Sequence, residues 1–394
     1  MSGNPAIATL GRRVRLGLVG GGGIALIGPV HRAAARLDDL IEIAAGVLSS
    51  DPERSLAQGR ALGLARPYPD LEALLAGERG RPDGIDALAI CTPNDSHVPI
   101  ALRALEAGLH VICDKPLAND LKSARELVRA VRASGRIFVL THNYSGYPMI
   151  RQARGMVADG LLGPVHLVSV AYLQGSLATR VEDDPEAMPP RLVWRLDPAR
   201  GGPSHALLDI GTHAHQLLTY VTGRNVRAVM AEVGALVPGR VAHDTGLVLL
   251  RLEGGARGVL VASKAAAGAD NVLALEVYGP AGGLFWEQAD QNRLRHLRTG
   301  EPARLLSRGL PGNHPLARRA TRLPPGHPEG FHEAFANLYA DFAEQVAAAL
   351  VGCAPDPLAC HLPTALDGAR GLAFVEACLA SAASGGWVEL AEIA

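Results

Sequence analysis

The chain has 394 residues, 48% of them hydrophobic and 20% charged, which is enough for two domain-sized cores and argues against disorder. Its 38 basic and 39 acidic residues leave a net charge of -1, without the basic excess that binding nucleic acid or an anionic membrane would need. The longest uncharged apolar run, 16–30, is too short to span a bilayer and contains six glycines. Arg12-Arg13 ahead of it mimics an export signal, but clustered glycines break an apolar export helix, so a cytoplasmic setting is expected. Five cysteines without a CxxC pair read as reduced, buried thiols. Only Lys115, Lys122 and Lys264 are lysines, with arginine used elsewhere. A lysine kept in such a chain is expected to serve chemistry, because its amine can release a proton and a guanidinium cannot.

Val14–Gly20 is a short apolar run and reads as a buried strand. Four glycines, Gly20 to Gly23, follow, and Ile24 opens a helical pattern over 24–37. Strand, glycine turn and helix, with Gly20-x-Gly22, open the dinucleotide fingerprint, in which bare backbone and a helix N-terminus face a pyrophosphate. The third glycine is displaced: Gly28 comes six residues after Gly22, so the loop carries an insertion. A glycine turn that binds nothing is the alternative. Strands are then expected at 41–48, 84–91, 110–113 and 136–140. Helices are expected at 52–62, 71–77, 96–107 and 121–134. This alternation implies a doubly wound parallel sheet that binds ligands at the carboxyl ends of its strands. Those ends carry Gly20–Gly23, Ser49-Ser50, Thr92-Pro93-Asn94 and Asp114-Lys115-Pro116. Ser49 stands where an acid usually binds the ribose of NAD, and Asp51 reads either as its substitute or as the N-cap of the next helix.

The pattern changes after about Tyr147. A helix is expected at 148–159, a strand at 165–173 and a helix at 204–222, with 175–203 irregular. Strand candidates at 226–236, 245–252, 258–263, 272–278 and 283–287 lack crossover helices, so this sheet is largely antiparallel. Residues 288–329 read as loop, and helices return at 333–349 and 363–383. The expected organisation is a dinucleotide-binding domain over 1–145 and an α+β substrate-binding and oligomerisation domain over 146–394. The C-terminal helices are free to pack back on the first domain.

Several separated motifs together resemble the Gfo/Idh/MocA family of NAD(P)-dependent sugar and cyclitol oxidoreductases. They are Ile27-Gly28-Pro29-Val30-His31, Thr92-Pro93-Asn94-Asp95-Ser96-His97, Asp114-Lys115-Pro116 in place of Glu-Lys-Pro, Trp194-Arg195, and Asp209-Ile210-Gly211-Thr212-His213. The resemblance implies an N-terminal Rossmann fold and hydride transfer between a nicotinamide and a secondary alcohol or ketone. It implies a cofactor site of Gly20, Gly22, Gly23, Ile24, Ser49, Ser50, Thr92, Asn94, His97, Asp114 and Lys115. His213 would then act as general base, Asp209 would orient the substrate or tune the histidine, and Lys115 would stabilise charge on the reacting oxygen. Asp209 and His213, four apart, share one face of an α-helix.

Asn143 and Tyr144 either line the substrate pocket or belong to a hinge, and Trp194-Arg195 suits sugar hydroxyls and ring faces. His327-Pro328-Glu329-Gly330 reads equally as pocket or helix cap. His213-x-His215 does not read as a metal site, since residues two apart on a helix face different ways. NAD is expected over NADP, since serine can bond a ribose hydroxyl and no arginine directly follows Ser49-Ser50 to hold a 2′-phosphate. The partners expected are a small polyol or sugar and a second copy of the chain, as homodimer or homotetramer through the second sheet. Two other functions compete: an NAD-dependent glycosidase or lyase using transient oxidation, and a non-catalytic sensor of NAD(P) or sugar.

Overall fold

Parallel strands with crossover helices come first along the chain and antiparallel strands second, as the periodicity predicts. In the computed structural model the described residues, all but 1–4, 24–25, 185, 187, 203 and 394, divide into two units. The first takes residues up to Ala118 together with Lys122–Gly146 and Phe331–Leu366. Its strands are β1 (Val14–Gly20), β2 (Ile41–Val47), β3 (Arg66–Pro67), β4 (Ala87–Cys91), β5 (His110–Cys113) and β6 (Phe138–Leu140). Among the described residues they form one sheet in the order β3-β2-β1-β4-β5-β6, parallel throughout. The order reverses between β1 and β4, and the crevice at such a reversal is where an open α/β sheet takes its ligand.

The strand expected from residue 84 begins only at Ala87, because an ionic staple occupies the residues before it. Glu78 accepts from the Ile85 amide at 3.1 Å. Asp86 accepts from the Arg15 amide at 2.8 Å and from both terminal nitrogens of Arg12 at 2.6 and 2.9 Å. Arg13 pairs with Asp39 at 2.5 Å on the surface, so both arginines of the export-like doublet have carboxylate partners within the fold. A cut at 145 separates the two sheets, yet the late helix Phe331–Val351 packs with the first of them. Phe335, Leu338, Tyr339, Phe342 and Val346 of this helix join Val14, Ala34, Ala35 and Ile41 in one buried cluster. Each large apolar side chain there stabilises by about 1.5–3 kcal/mol, which ties the helix to this sheet despite the sequence distance.

The second unit takes Asn119–Leu121, Tyr147–Gly330 and the chain from Asp367 onward. Its strands are β7 (Leu167–Leu173), β8 (Val226–Gly234), β9 (Thr245–Leu252), β10 (Arg257–Ser263), β11 (Val272–Gly279), β12 (Gly282–Glu287), β13 (Arg293–Arg298), β14 (Arg304–Ser307) and β15 (Val388–Glu389). Among the described residues they form a sheet ordered β14-β13-β12-β11-β7-β10-β9-β8-β15. Only the central pair β7/β10 is parallel. One face is covered: Val248, Leu250 and Leu252 of β9 are buried. The other face leaves Leu247 and Leu249 of β9 each 48% exposed, beside Met230 of β8 and Val259 of β10.

Residues 288–329 are not simply a loop. They contain β13, β14 and the helix Pro315–Arg319. The alternation Arg293-Leu294-Arg295-His296 buries leucine and histidine and turns the arginines outward, so charge masks the strand pattern. Glu329 is buried against Arg308 at 2.7 Å and accepts the amides of Arg322 and Leu323, so it ties the 327–330 loop to Arg308 and to the 322–323 turn. The cysteine expectation holds for Cys91, Cys113 and Cys378, which are buried. Cys353 and Cys360 are exposed, lying in the turn and 3-10 segment between the last two helices, where no strand or helix face covers them.

Candidate functional site

In the first unit the predicted cofactor residues lie along one edge of the sheet. Gly20, Gly21 and Gly23 hold φ of 82°, 72° and 55°, conformations that favour glycine. A Cβ on Gly22 would come within 2.4 Å of the Leu48 carbonyl oxygen. The displaced Gly28 has the role of close packing: a Cβ there would sit 2.1 Å from the Gly21 carbonyl oxygen, so the helix Ile27–Leu37 abuts the turn directly. Arg32 on that helix donates to the Gly21 carbonyl at 2.7 Å and fixes the loop. The helix starts at Ile27 rather than at 24, and Ile24 lies outside the described residues. Gln58, which sequence reasoning missed, lays its amide against Gly22 and Gly23.

These residues fit a dinucleotide. The cradle admits no side chain, and the buried Thr92 Oγ1 and Gln58 Oε1, one after β4 and one against the glycine turn, lack hydrogen-bond partners among the described residues. At the end of β2, Ser49 is half-buried and its Oγ accepts the Asp51 amide at 3.1 Å, while Ser50 is exposed. Asp51 is the N-cap of the helix Pro52–Ala61 and accepts the Arg54 amide at 2.7 Å. The carboxylate is therefore engaged in capping, and Arg54 is exposed within the helix.

Asn94 opens a short 3-10 turn after β4. His97 is buried, with one ring nitrogen 2.7 Å from the Pro116 carbonyl and the other 2.9 Å from the Thr92 carbonyl. It thus ties together the loops that follow β4 and β5. Asp114 at the end of β5 accepts from Thr141 Oγ1 at 3.0 Å and lies 3.9 Å from His31 Nε2, farther than a hydrogen bond. His31 Nδ1 is 2.7 Å from the Tyr339 hydroxyl. Burial alone would push the Asp114 carboxyl up, but His31, then Lys115 and His97, outweigh it and hold it at about 2. The half-buried Lys115 follows this carboxylate directly in the chain. Asn143 and Tyr144 are both buried in the 3-10 turn Asn143–Gly146, and Asn143 Nδ2 has no partner among the described residues.

In the second unit the expected α-helix over 204–222 departs from its regular form. Leu207–Gly211 is a π turn, in which the Thr212 amide bonds the Leu207 carbonyl, and Thr212–Thr222 continues as α-helix. Asp209 therefore sits in the widened turn and His213 in the α turn after it, rather than four apart on one regular α-helical face as the spacing predicts. Single π turns of this kind are common at functional sites. Trp194 and Arg195 lie on the helix Pro190–Leu196, with the Arg195 guanidinium 5.2 Å from the Trp194 ring centre and 3.9 Å from Asp209 Oδ2. His213 is buried with its ring 6.2 Å from that of Tyr172. His215 instead stacks on Phe374 at 4.8 Å, and burial, then Arg370, pushes its pKa down to about 3.

Lys264 is the residue that sequence reasoning noticed only as a scarce lysine and gave no role. Its ammonium lies 2.5 Å from Asp209 Oδ2 and 3.0 Å from Gln174 Oε1. Gln174 Nε2 donates to Asn271 Oδ1 at 2.7 Å. A carboxylate, two cations and two amides thus meet beside an indole, drawn from five separate stretches of chain. Among the described residues no helix is long and apolar enough to cross a membrane.

Known proteins match the chain in both of its parts. Residues 14–144 match the family model described as an oxidoreductase family with an NAD-binding Rossmann fold, and residues 150–285 match the GFO/IDH/MocA C-terminal domain. The chain is 32% identical to an uncharacterized oxidoreductase of Bacillus subtilis, over 96% of this chain and 98% of that one. It is 26% identical to levoglucosan dehydrogenase of Pseudarthrobacter phenanthrenivorans, over 76% and 83% of the two chains. A crystal structure of an inositol dehydrogenase homolog from Azotobacter vinelandii, complexed with NADH and myo-inositol, superposes with a TM-score of 0.87 at 36% identity, covering 97% of this chain and 98% of that one.

Proposed function

This chain belongs to the Gfo/Idh/MocA oxidoreductase family, and on that premise we propose that it oxidises a secondary hydroxyl of a sugar, sugar derivative or cyclitol, or reduces the matching ketone. The observation that supports this reading most is the second unit's cluster of Asp209, Lys264, Gln174, Asn271 and Arg195 beside Trp194. An array of fixed donors and acceptors next to an indole suits a ring bearing several hydroxyls. Bound NAD supplies the hydride acceptor. The hydroxyl proton passes to a ring nitrogen of His213, Asp209 accepts a hydrogen bond from a substrate hydroxyl, and the Lys115 ammonium donates to the reacting oxygen as charge develops on it.

A panel of sugars and cyclitols with NAD and NADP, read as absorbance of the reduced cofactor, tests the proposal. Net accumulation of reduced cofactor on at least one polyol is the expected result. Substrate conversion without net reduction would favour the glycosidase or lyase reading, and cofactor binding without conversion the sensor. The outward face carrying Leu247, Leu249, Met230 and Val259 further supports a homo-oligomer formed through the second sheet. Light scattering at micromolar concentration tests it, and a monomer overturns it.

A further inference from the structure

We propose that Lys264 is a positioning residue for catalysis, clamping the Asp209 carboxylate in its ionised form so that it serves only as an acceptor of substrate hydroxyls. The proposal rests on the reading of this cluster as a polyol site. Lys264 follows the last residue of β10, and its side chain is 5% exposed. Its main chain is held on both sides: its amide donates to the Asp244 carbonyl at 2.8 Å, and its carbonyl accepts the Leu177 amide at 2.9 Å. Asp244 is itself anchored by Arg240 at 3.1 Å and by the amides of Leu236 and Val237. The ammonium therefore approaches Asp209 from a rigid base. Gln174 steadies it from the side, and the Asn271 contact sets which end of that amide faces the ammonium.

Stability gives no sufficient reason for this arrangement. A buried ion pair costs desolvation that its attraction barely offsets, and apolar residues of similar volume often do as well. This chain uses arginine for nearly every other positive charge. A compact ammonium gives a point contact with one carboxylate oxygen, whereas a guanidinium tends to take both in a fork. Among the described residues, the charged and titratable groups facing Asp209 include Lys264 after β10, Arg195 at 3.9 Å on the helix Pro190–Leu196, and His213 one turn along its own helix. His243 and Asp244 precede β9, where the His243 carbonyl accepts the Ala206 amide and Arg240 takes the Asp244 carboxylate. Of these, Lys264 is the close and buried cation. Its removal takes away a cation 2.5 Å from Asp209, and an opposite charge lost is a carboxyl pKa raised.

The experiment compares Lys264→Met, Lys264→Arg and Gln174→Leu with the wild-type holoenzyme, measuring kcat and KM from pH 5 to 9 on a polyol the wild type accepts. For Lys264→Met the acid limb of kcat/KM moves up by about one pH unit or more. KM rises about tenfold while kcat falls less, the pattern of lost substrate binding. Lys264→Arg recovers part of both changes, and Gln174→Leu raises KM to a smaller extent. A folded Lys264→Met variant with the wild-type limb and KM overturns the proposal. Should that variant fail to fold, Gln174→Leu decides: a raised KM supports the clamp and an unchanged one overturns it. A wild-type enzyme inert on every polyol breaks the functional reading beneath the proposal, whereas an active one with an indifferent Lys264→Met breaks the proposal alone.

Discussion

The two groups of candidate site residues are built in opposite ways. In the first unit each residue lies just past the end of a parallel strand or on the helix that follows, so a contiguous motif of a few residues makes each part. Gly20–Gly23, Ser49-Ser50, Thr92-Pro93-Asn94 and Asp114-Lys115-Pro116 take their place from strand order alone. In the second unit Gln174, Arg195, Asp209, Lys264 and Asn271 meet from five separate stretches, and what joins them is sheet register and a π turn. Motif and site coincide in the first case. In the second, Trp194-Arg195 and the Asp209–His213 stretch are fragments that gain their meaning from neighbours remote in sequence.

Three substitutions in the first unit sharpen the contrast, because there each local motif should act on its own. The largest effect is expected from Lys115→Arg, which keeps the charge and removes the small ammonium. Turnover should fall by about a hundredfold or more, the usual scale for a group acting on the transferring proton. Cofactor affinity, followed by quenching of protein fluorescence, should stay near wild type. Near-normal turnover would remove Lys115 from the chemistry.

A smaller effect, and a purely steric one, is expected from Gly28→Ala. The new methyl would meet the Gly21 carbonyl oxygen at 2.1 Å, with backbone on both sides and no flexible side chain to yield. Overpacking of this kind costs about 1–3 kcal/mol, seen as a lower melting temperature, and the displaced glycine turn should weaken NAD binding as well. Unchanged stability and NAD affinity would show that the displaced glycine is not the closing element of the loop.

Ser49→Asp should have the mildest consequence. With Asp51 engaged as a helix cap, no carboxylate at the end of β2 is committed to a ribose, so NAD should be preferred only modestly over NADP. An added carboxylate should raise the NAD:NADP ratio of kcat/KM several-fold by repelling the 2′-phosphate. A wild-type ratio at least tenfold in favour of NADP would reverse the expectation and direct attention to Arg54.

Much of this was legible before any coordinates. Strand and helix periods are local, so β1, β5, β9 and the helix Leu121–Ser134 were expected at the bounds found. The end of each β-strand in a βαβ unit is a predictable place for a ligand, because crossover handedness and strand order leave little choice. Where local signals misled, the cause was specific. Arg293–Arg298 hides its alternation behind three arginines, and just before β4 the Ile85 amide is taken by the Glu78 carboxylate while the Asp86 carboxylate takes the Arg15 amide.

Local sequence sets the two kinds of sheet and the glycine turn at the switch point, and composition shows the scarcity of lysine that singles out Lys115, Lys122 and Lys264 alike. Tertiary structure decided that the helix Phe331–Val351 packs with the first sheet, that Gly28 closes against Gly21, and that Lys264 meets Asp209. The physical reason is range. Backbone periodicity and turn chemistry act over a few residues and are written in order along the chain. An ion pair between residues 55 apart depends on how a strand and a widened helical turn stack, which no local pattern encodes.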